Sequence, residues 1–147
     1  MRQLALFDTY FAIIFVQVGW CLPFGVWMLS SFLKTLPKEL EESAFVDGCS
    51  RLYAFLKIIL PLSAPGLAAV LIWSFLVTWG EFGWPLILTA TNISAITTTI
   101  AGATGLFGAL YGLINAQGVL SIIPPVIIAV AFQRFLIKGL TAGAIKG

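Results

Sequence analysis

The stretch Glu42-Ser43-Ala44-Phe45-Val46-Asp47-Gly48, which nine residues separate from Ile58-Ile59-Leu60-Pro61, is a charged island between long apolar segments. Pro37, just ahead of it, suits the first turn of a helix, and acidic residues follow near the positive end of that helix. Gly48 can adopt the left-handed conformation that ends a helix. The sequence therefore predicts a short helix from Lys38 to Asp47 that ends at Gly48.

A second helix is predicted directly after this turn. Ser50 is a good N-cap residue, and Pro61 ends or kinks a helix before the next apolar run. Between them, apolar side chains recur at helical spacing; they are Leu52, Phe55, Leu56 and Ile59. The stretch is therefore predicted to form a helix, a tight turn and a second helix.

This spacing resembles the EAA motif of the membrane subunits of binding-protein-dependent ABC importers. In that motif, Glu-Ala-Ala is followed by three residues, Gly, nine residues, Ile, any residue, Leu and Pro. Ser43 departs from the usual alanine, which is a change between small residues. The lead-in 34–40 and the tail 139–147 look like the carbohydrate-uptake branch, with permeases of the maltose and glycerol-phosphate type. The positions that match the motif are Glu42, Ala44, Gly48, Ile58, Leu60 and Pro61.

The composition is that of a membrane protein. Of the 147 residues, 60% are hydrophobic and 10% are charged, and the mean hydropathy is +1.04, whereas soluble domains have roughly 25% charged residues. There is no histidine, no Gly-rich phosphate loop and no cysteine cluster, so we expect no catalytic residue, no metal site and no cofactor. The basic residues follow membrane sidedness rather than indicating a nucleic-acid partner. ATP would be bound and hydrolysed by a separate subunit.

Three apolar runs are each long enough to span a bilayer, which predicts an all-α membrane protein with three transmembrane helices. Pro23 in the first run and Pro124-Pro125 in the third predict kinks. Taken with the resemblance, these runs imply one partial permease domain with a span at 9–33, a cytoplasmic loop at 34–60, a span at 62–79, an extracytoplasmic loop at 80–117, a span at 119–137 and a cytoplasmic tail at 138–147.

Basic residues give the orientation. Cytoplasmic segments carry an excess of Lys and Arg, and the segment 80–117 contains neither. The loop at 34–60 and the tail are therefore predicted to be cytoplasmic. The family resemblance implies that the membrane is the inner membrane of a bacterial or archaeal cell. The residues that carry this bias are Lys34, Lys38, Arg51, Lys57, Arg134, Lys138 and Lys146.

The resemblance implies that the predicted 38–47 helix is a coupling helix in a cleft of a cytoplasmic ATPase dimer. Glu42 would contact a basic residue of the ATPase. Phe45 and Val46 are apolar although their loop is expected to be exposed to solvent, which suggests a surface that another protein covers. Two alternatives stay open: Glu42 stabilises only its own helix, or the loop is a plain connector. The implied ATPase-coupling residues are Glu42, Ser43, Ala44, Phe45, Val46, Asp47 and Gly48, and the motif ends at Ile58, Leu60 and Pro61.

Further contacts are implied outside this loop. The tail with Lys146 would reach the seam between the ATPase subunits, unless it is simply a disordered basic end. On the outer side, polar residues including Thr97 and Gln117 are available to an extracytoplasmic solute-binding protein. Glu81 is an acid near the outer surface and so a candidate site, with helix capping as the alternative.

Members of this family have five or six spans, and the three predicted here correspond to the C-terminal half. A fragment, a truncated product and one half of a split permease all fit, and a second permease subunit is implied. We expect the membrane-spanning subunit of an ATP-driven importer of sugars or related solutes. The rival is a small membrane scaffold, assembly subunit or inactive permease fragment. An ion-driven carrier is disfavoured because the predicted spans contain no acid or histidine before Arg134.

Overall fold

A computed structural model of the chain describes residues 7–105 and 108–144. These residues are mostly helical, and two two-residue strands form a small antiparallel ladder in which Thr104 pairs with Ala109 and Gly105 with Gly108. Apart from this ladder, the predicted all-α fold is confirmed. In order, the elements are α1 (Tyr10–Leu33), α2 (Glu39–Val46), α3 (Arg51–Ala54), a π-helical turn (Phe55–Ile59), α4 (Leu60–Leu62), α5 (Ala64–Trp79), α6 (Gly83–Leu88), α7 (Ile96–Gly102), β1 (Thr104–Gly105), β2 (Gly108–Ala109) and α8 (Tyr111–Ala144).

Two helical stretches of the described residues, Tyr10–Leu33 and Tyr111–Gln133, are long and apolar enough to cross a membrane. A third span results if Arg51–Leu62 and Ala64–Trp79, which meet at an angle of 65°, count together. The 16 residues of α5 extend only about 24 Å, less than a hydrocarbon core of about 30 Å. The break between the two pieces falls at Ser63, two residues beyond Pro61, close to where the sequence predicts a kink.

The last helix differs from its sequence-based prediction. α8 begins at Tyr111, inside the segment predicted as a loop, and its helical assignment continues through Pro124 and Pro125. Gly112 and its polar neighbours up to Gln117 favour a loop at the start of this helix. The low helix propensity of these residues is outweighed, because each residue added to an existing helix gains a hydrogen bond.

The chain divides into two compact units, one of Met1–Leu22 and Ser74–Val130 and the other of Pro23–Trp73 and Ala131–Gly147. In the second unit, α1 and α5 approach closely at small residues. A Cβ on Gly66 would lie 2.5 Å from the Phe32 ring, and one on Gly25 would lie 3.3 Å from Val70 Cγ1. The helix ends that border the 34–62 loop are therefore firmly packed.

Candidate functional site

The short helix predicted around Glu42 is present as α2. It covers Glu39–Val46, with Lys38 at the N-cap and Asp47 at the C-cap. Three of the four residues in the first turn are acidic, and their charge complements the positive end of the helix dipole. This electrostatic match helps an eight-residue segment to stay helical.

Gly48 ends α2 in the manner that the sequence predicts. Its φ is +79°, the left-handed region that L side chains rarely adopt. The Cys49 N–H donates to the Ala44 carbonyl at 2.9 Å and the Gly48 N–H donates to the Phe45 carbonyl at 3.0 Å. These two bonds make a Schellman motif, which satisfies the last carbonyls of α2. The helix end is therefore defined by hydrogen bonds and not by fraying.

The second helix also begins where predicted, since Ser50 Oγ accepts a hydrogen bond from the Tyr53 N–H at 3.3 Å. It then contains a feature that the sequence did not predict: Phe55–Ile59 is a π-helical turn in which the Leu60 N–H donates to the Phe55 carbonyl. Such turns are rare and concentrate at functional sites. Pro61, which has no N–H to donate, is the signal that regular α-helical bonding changes here.

α2 contacts both α3 and the π-helical turn. The buried residues of α2 and α3 are alanines, Ala44 at 3% exposure and Ala54 at 1%, and small side chains permit close approach. Ser43 Oγ donates to the Leu40 carbonyl at 3.2 Å. Two parts of the motif, Glu42–Gly48 and Ile58–Pro61, thus belong to one packed helix pair.

The rest of α2 faces outward. Val46 is 88% exposed and Phe45 is 38% exposed, and the Glu42 side chain is exposed. Within residues 7–105 and 108–144, the Glu42 carboxylate has no hydrogen bond or ion pair. At the end of the motif, Ile58 is half-buried, whereas Leu60 and Pro61 are exposed. The surface combines a free charge with uncovered apolar groups.

Glu81 has a local role in the structure. Its Oε1 accepts hydrogen bonds from the N–H groups of Gly83 at 2.8 Å and Trp84 at 3.4 Å, at the start of α6. It also lines a cavity of about 280 Å³ with Gln17 and Trp79. The geometry is the capping arrangement left open by the sequence, and a role of Glu81 in ligand binding stays a prediction.

Asp8 is a residue that the sequence reasoning missed. It is buried at 7% exposure and has a φ of 58°. Its Oδ1 accepts from the N–H groups of Ala90 at 2.8 Å and Ile93 at 3.4 Å, and its Oδ2 from those of Thr91 at 3.0 Å and Asn92 at 2.9 Å. These backbone hydrogen bonds, with that of Asn92 the strongest influence, lower the pKa of Asp8 to about 2.

Hydroxyl groups of the segment predicted as an outer loop also bond within it. Thr97 Oγ1 donates to the Glu81 carbonyl at 2.7 Å, and Thr98 and Thr99 donate to the Ala95 carbonyl at 2.8 and 2.9 Å. Gln117 Oε1 is buried and has no hydrogen-bond partner among the described residues. The predicted contacts of this segment with a binding protein therefore compete with internal hydrogen bonds.

Two further predictions concern the remaining chemistry. Lys146 lies outside the described residues, so its place stays a prediction. Among residues 7–105 and 108–144, no three His, Cys, Asp or Glu side chains are grouped so that they could hold a metal ion.

Comparison with known proteins identifies relatives over the whole chain. It is 40% identical over 149 aligned positions to the trehalose/maltose transport system permease protein MalG of Thermococcus litoralis, covering 100% of this chain and 54% of that protein. It is 40% identical to the arabinooligosaccharides transport system permease protein AraQ of Halalkalibacterium halodurans, covering 100% and 52%. The trehalose transport system permease protein SugB of Mycobacterium tuberculosis is 37% identical, with 99% and 54% covered.

The chain therefore spans about half the length of these curated relatives. Residues 3–142 match the family described as the binding-protein-dependent transport system inner membrane component. That match covers nearly all of the sequence and agrees with the apolar helices of the structure. The chain belongs to the family of binding-protein-dependent transport system inner membrane components and is a multi-pass membrane protein.

Proposed function

We propose that this chain supplies part of the membrane-spanning subunit of an ATP-driven sugar importer and that α2 receives the motion of a cytoplasmic ATPase. One observation carries the proposal: α2 is a short helix with a firm base and an uncovered outer surface. Ala44 is buried and the C-terminal end of α2 is closed by hydrogen bonds, whereas Val46 is 88% exposed. An apolar side chain left that exposed beside free charges is typical of a surface that another protein covers.

The relatives support the class of solute. Their names describe permease proteins for trehalose, maltose and arabinooligosaccharides, which are all saccharides. We assign a sugar or a related solute to this chain on that similarity. The extracytoplasmic solute-binding protein, the second permease subunit and the ATPase dimer are proposed on the same basis, as is the hydrolysis of ATP by the ATPase alone.

Glu42 is the proposed polar contact. A carboxylate that pairs with an arginine of the ATPase forms a charge-assisted hydrogen bond, worth about 1.5–3 kcal/mol. Phe45 and Val46 add apolar area around it, and Gly48 holds the helix end that aims them. Because Glu42 has no partner among the described residues, no internal bond must break before docking. Lys146 and Glu81 stay secondary candidates, for the ATPase seam and the outer side.

Motion would pass from α2 as a rigid-body shift. α2 contacts α3 and the π-helical turn. Both belong to the continuous stretch Arg51–Leu62, which we call the composite helix and which joins α5 through the 65° bend at Ser63. Ser63 is buried at 3% exposure, and its Oγ donates to the Leu60 carbonyl at 2.9 Å. A packed, hydrogen-bonded bend moves with its neighbours rather than absorbing their displacement.

Copurification of the ATPase tests this proposal. In a complete transporter that contains this sequence, Glu42→Gln should reduce ATPase retention roughly tenfold to hundredfold, because the charge-assisted bond is lost. The matched control is Glu39→Gln, which removes an equal charge from the same helical turn. Membrane abundance is measured in parallel, and it should not change in either variant.

Two outcomes would contradict the proposal. Equal ATPase retention in the Glu42→Gln variant and the unchanged protein would reduce Glu42 to a residue that stabilises its own helix. Absence of any ATPase from the unchanged complex would instead favour a scaffold or assembly subunit.

A further inference from the structure

A groove of about 380 Å³ lies within the unit of Pro23–Trp73 and Ala131–Gly147, beside the exit of α1. This volume is in the range of small-molecule sites, about 300–1,000 Å³. Part of the lining is apolar and consists of Leu33, Leu36, Pro37, Phe55 and Ile59. Phe55 and Ile59 are the first and last residues of the π-helical turn. The widened turn thus forms part of the groove.

The rest of the groove lining is charged. Lys34, Lys38 and Arg51 line the groove together with a single carboxylate, Glu41. All four side chains are exposed, and none forms an ion pair or hydrogen bond within the described part of the chain. Three cations and one acid give the lining a formal net charge of +2, so the groove is electrostatically suited to an anion.

The position of the groove narrows the identity of that anion. Leu33 is the last residue of α1, a helix long and apolar enough to cross the membrane. Lys34 follows directly on the end of this helix and Lys38 four residues later, and cations at the end of a span are expected at the level of the lipid headgroups. A ligand in this groove meets both apolar side chains and cations. Phospholipids with a negative headgroup offer both a charged and an apolar part, whereas a free inorganic ion offers only charge.

We propose that this groove binds an anionic phospholipid. Its phosphate contacts Lys34, Lys38 and Arg51, and its glycerol backbone and first methylene groups contact the apolar residues of the lining. The site lies between α1, the start of α2 and the π-helical turn, so a bound lipid stabilises the base on which α2 stands. This inference needs only the membrane location of the chain, and it is independent of the sugar and the ATPase.

Lipid retention measures the site directly. The 147-residue chain is incorporated into nanodiscs of phosphatidylcholine and phosphatidylglycerol, and native mass spectrometry counts the lipids that stay bound after release. Phosphatidylglycerol should be retained in preference to phosphatidylcholine. The substitutions Lys34→Gln, Lys38→Gln and Arg51→Gln should each reduce its retention about fivefold, as expected for the loss of one cation at a lipid surface.

Lys57→Gln is the matched control. Lys57 is an exposed cation of the same composite helix but does not line the groove, so its loss should leave lipid retention unchanged. An equal loss in the Lys57→Gln and Arg51→Gln variants would overturn the site in favour of diffuse attraction. Equal retention of both lipids would overturn the headgroup assignment.

The source of the phosphate is tested in the same assay. Inorganic phosphate carries the charge but has no acyl chains, so it should not displace phosphatidylglycerol. Displacement by inorganic phosphate would assign the groove to a free anion. Retention of phosphatidylglycerol by the isolated chain but not by the chain in complex with a cognate ATPase would assign the groove to the protein interface instead.

Discussion

Two polar segments interrupt the apolar helices of this protein, and a carboxylate of each segment has the opposite surroundings. We call residues 34–62, which contain the proposed ATPase contact, the coupling loop, and residues 80–110, which are predicted to lie outside, the outer loop. In the coupling loop, Glu42 has no partner among the described residues and Val46 is 88% exposed. In the outer loop, the Glu81 carboxylate and the Thr97 hydroxyl bond to backbone groups of the same loop or its borders.

This contrast separates surfaces made for a partner from surfaces made for the fold. Polar groups that are satisfied internally stabilise one conformation of a loop and offer little to another protein. Free charges beside exposed apolar side chains, on a helix with a defined end, have the reverse character. Function in the coupling loop is therefore expected to depend on individual side chains, whereas the outer loop should depend on the network that shapes it.

The largest effect is expected from Gly48→Val in a complete transporter. At a φ of +79°, a β-branched side chain costs about 1–3 kcal/mol in backbone strain. No atom lies within 4 Å of the position that a Cβ would take, so strain alone causes the effect. The turn should reshape, α2 should lose its docking geometry, and solute uptake should fall close to background at unchanged membrane abundance.

Gly48→Asn is the matched control for that substitution. Asparagine tolerates the left-handed conformation better than valine, so uptake should be largely retained. Equal uptake by the Gly48→Val protein and the unchanged protein would remove the distinction between the two loops, because the coupling loop would then tolerate a new shape as a connector does.

A smaller effect is expected from Gly66→Ala, which tests the base beneath the coupling loop. A Cβ at this position would lie 2.5 Å from two atoms of the Phe32 ring, and overpacking of this kind typically costs about 1–3 kcal/mol. Thermal unfolding in detergent should show a lower midpoint. Gly19→Ala is the control, since Gly19 lies in α1 and a Cβ at this position would have no atom within 4 Å. Equal midpoints in the two variants would show that α1 and α5 are not closely packed there.

Features set by near neighbours in the sequence were predictable. Gly48 and Ser50 act through bonds to residues within five positions, so their residue types alone indicate a helix end and a helix start. The apolar runs likewise predict membrane helices. The resemblance of the motif at Glu42 then pointed to the family that the comparisons establish.

Features that depend on distant contacts could not be predicted. Asp8 precedes the first apolar run and resembles an ordinary flanking charge. Its amide partners lie 82 to 85 residues further along the chain, so no local pattern indicates its role. The groove proposed to bind a lipid combines residues from α1 and from the π-helical turn, and no local pattern brings these together. The start of α8 was missed for another reason, since Gly112 and its polar neighbours favour a loop, whereas the apolar residues that follow allow the helix to begin at Tyr111.

The smallest effect on uptake, and the sharpest test of the outer loop, is expected from Asp8→Asn. Asparagine retains one acceptor oxygen and tolerates a φ of 58°, so at least two of the four amides at residues 90–93 lose their partner. Hydrogen exchange at these amides should accelerate, whereas ATPase copurification should not change.

The lowered pKa of Asp8 gives the same test in the unchanged protein. The Asp8 contribution is complete above its usual pKa of 3.8 and is lost as pH falls through about 2, so faster exchange at 90–93 should appear only in that acid range. Unchanged exchange in the variant would show that Asp8 does not hold the outer loop, and a loss of ATPase docking would show that the two loops are not functionally separate.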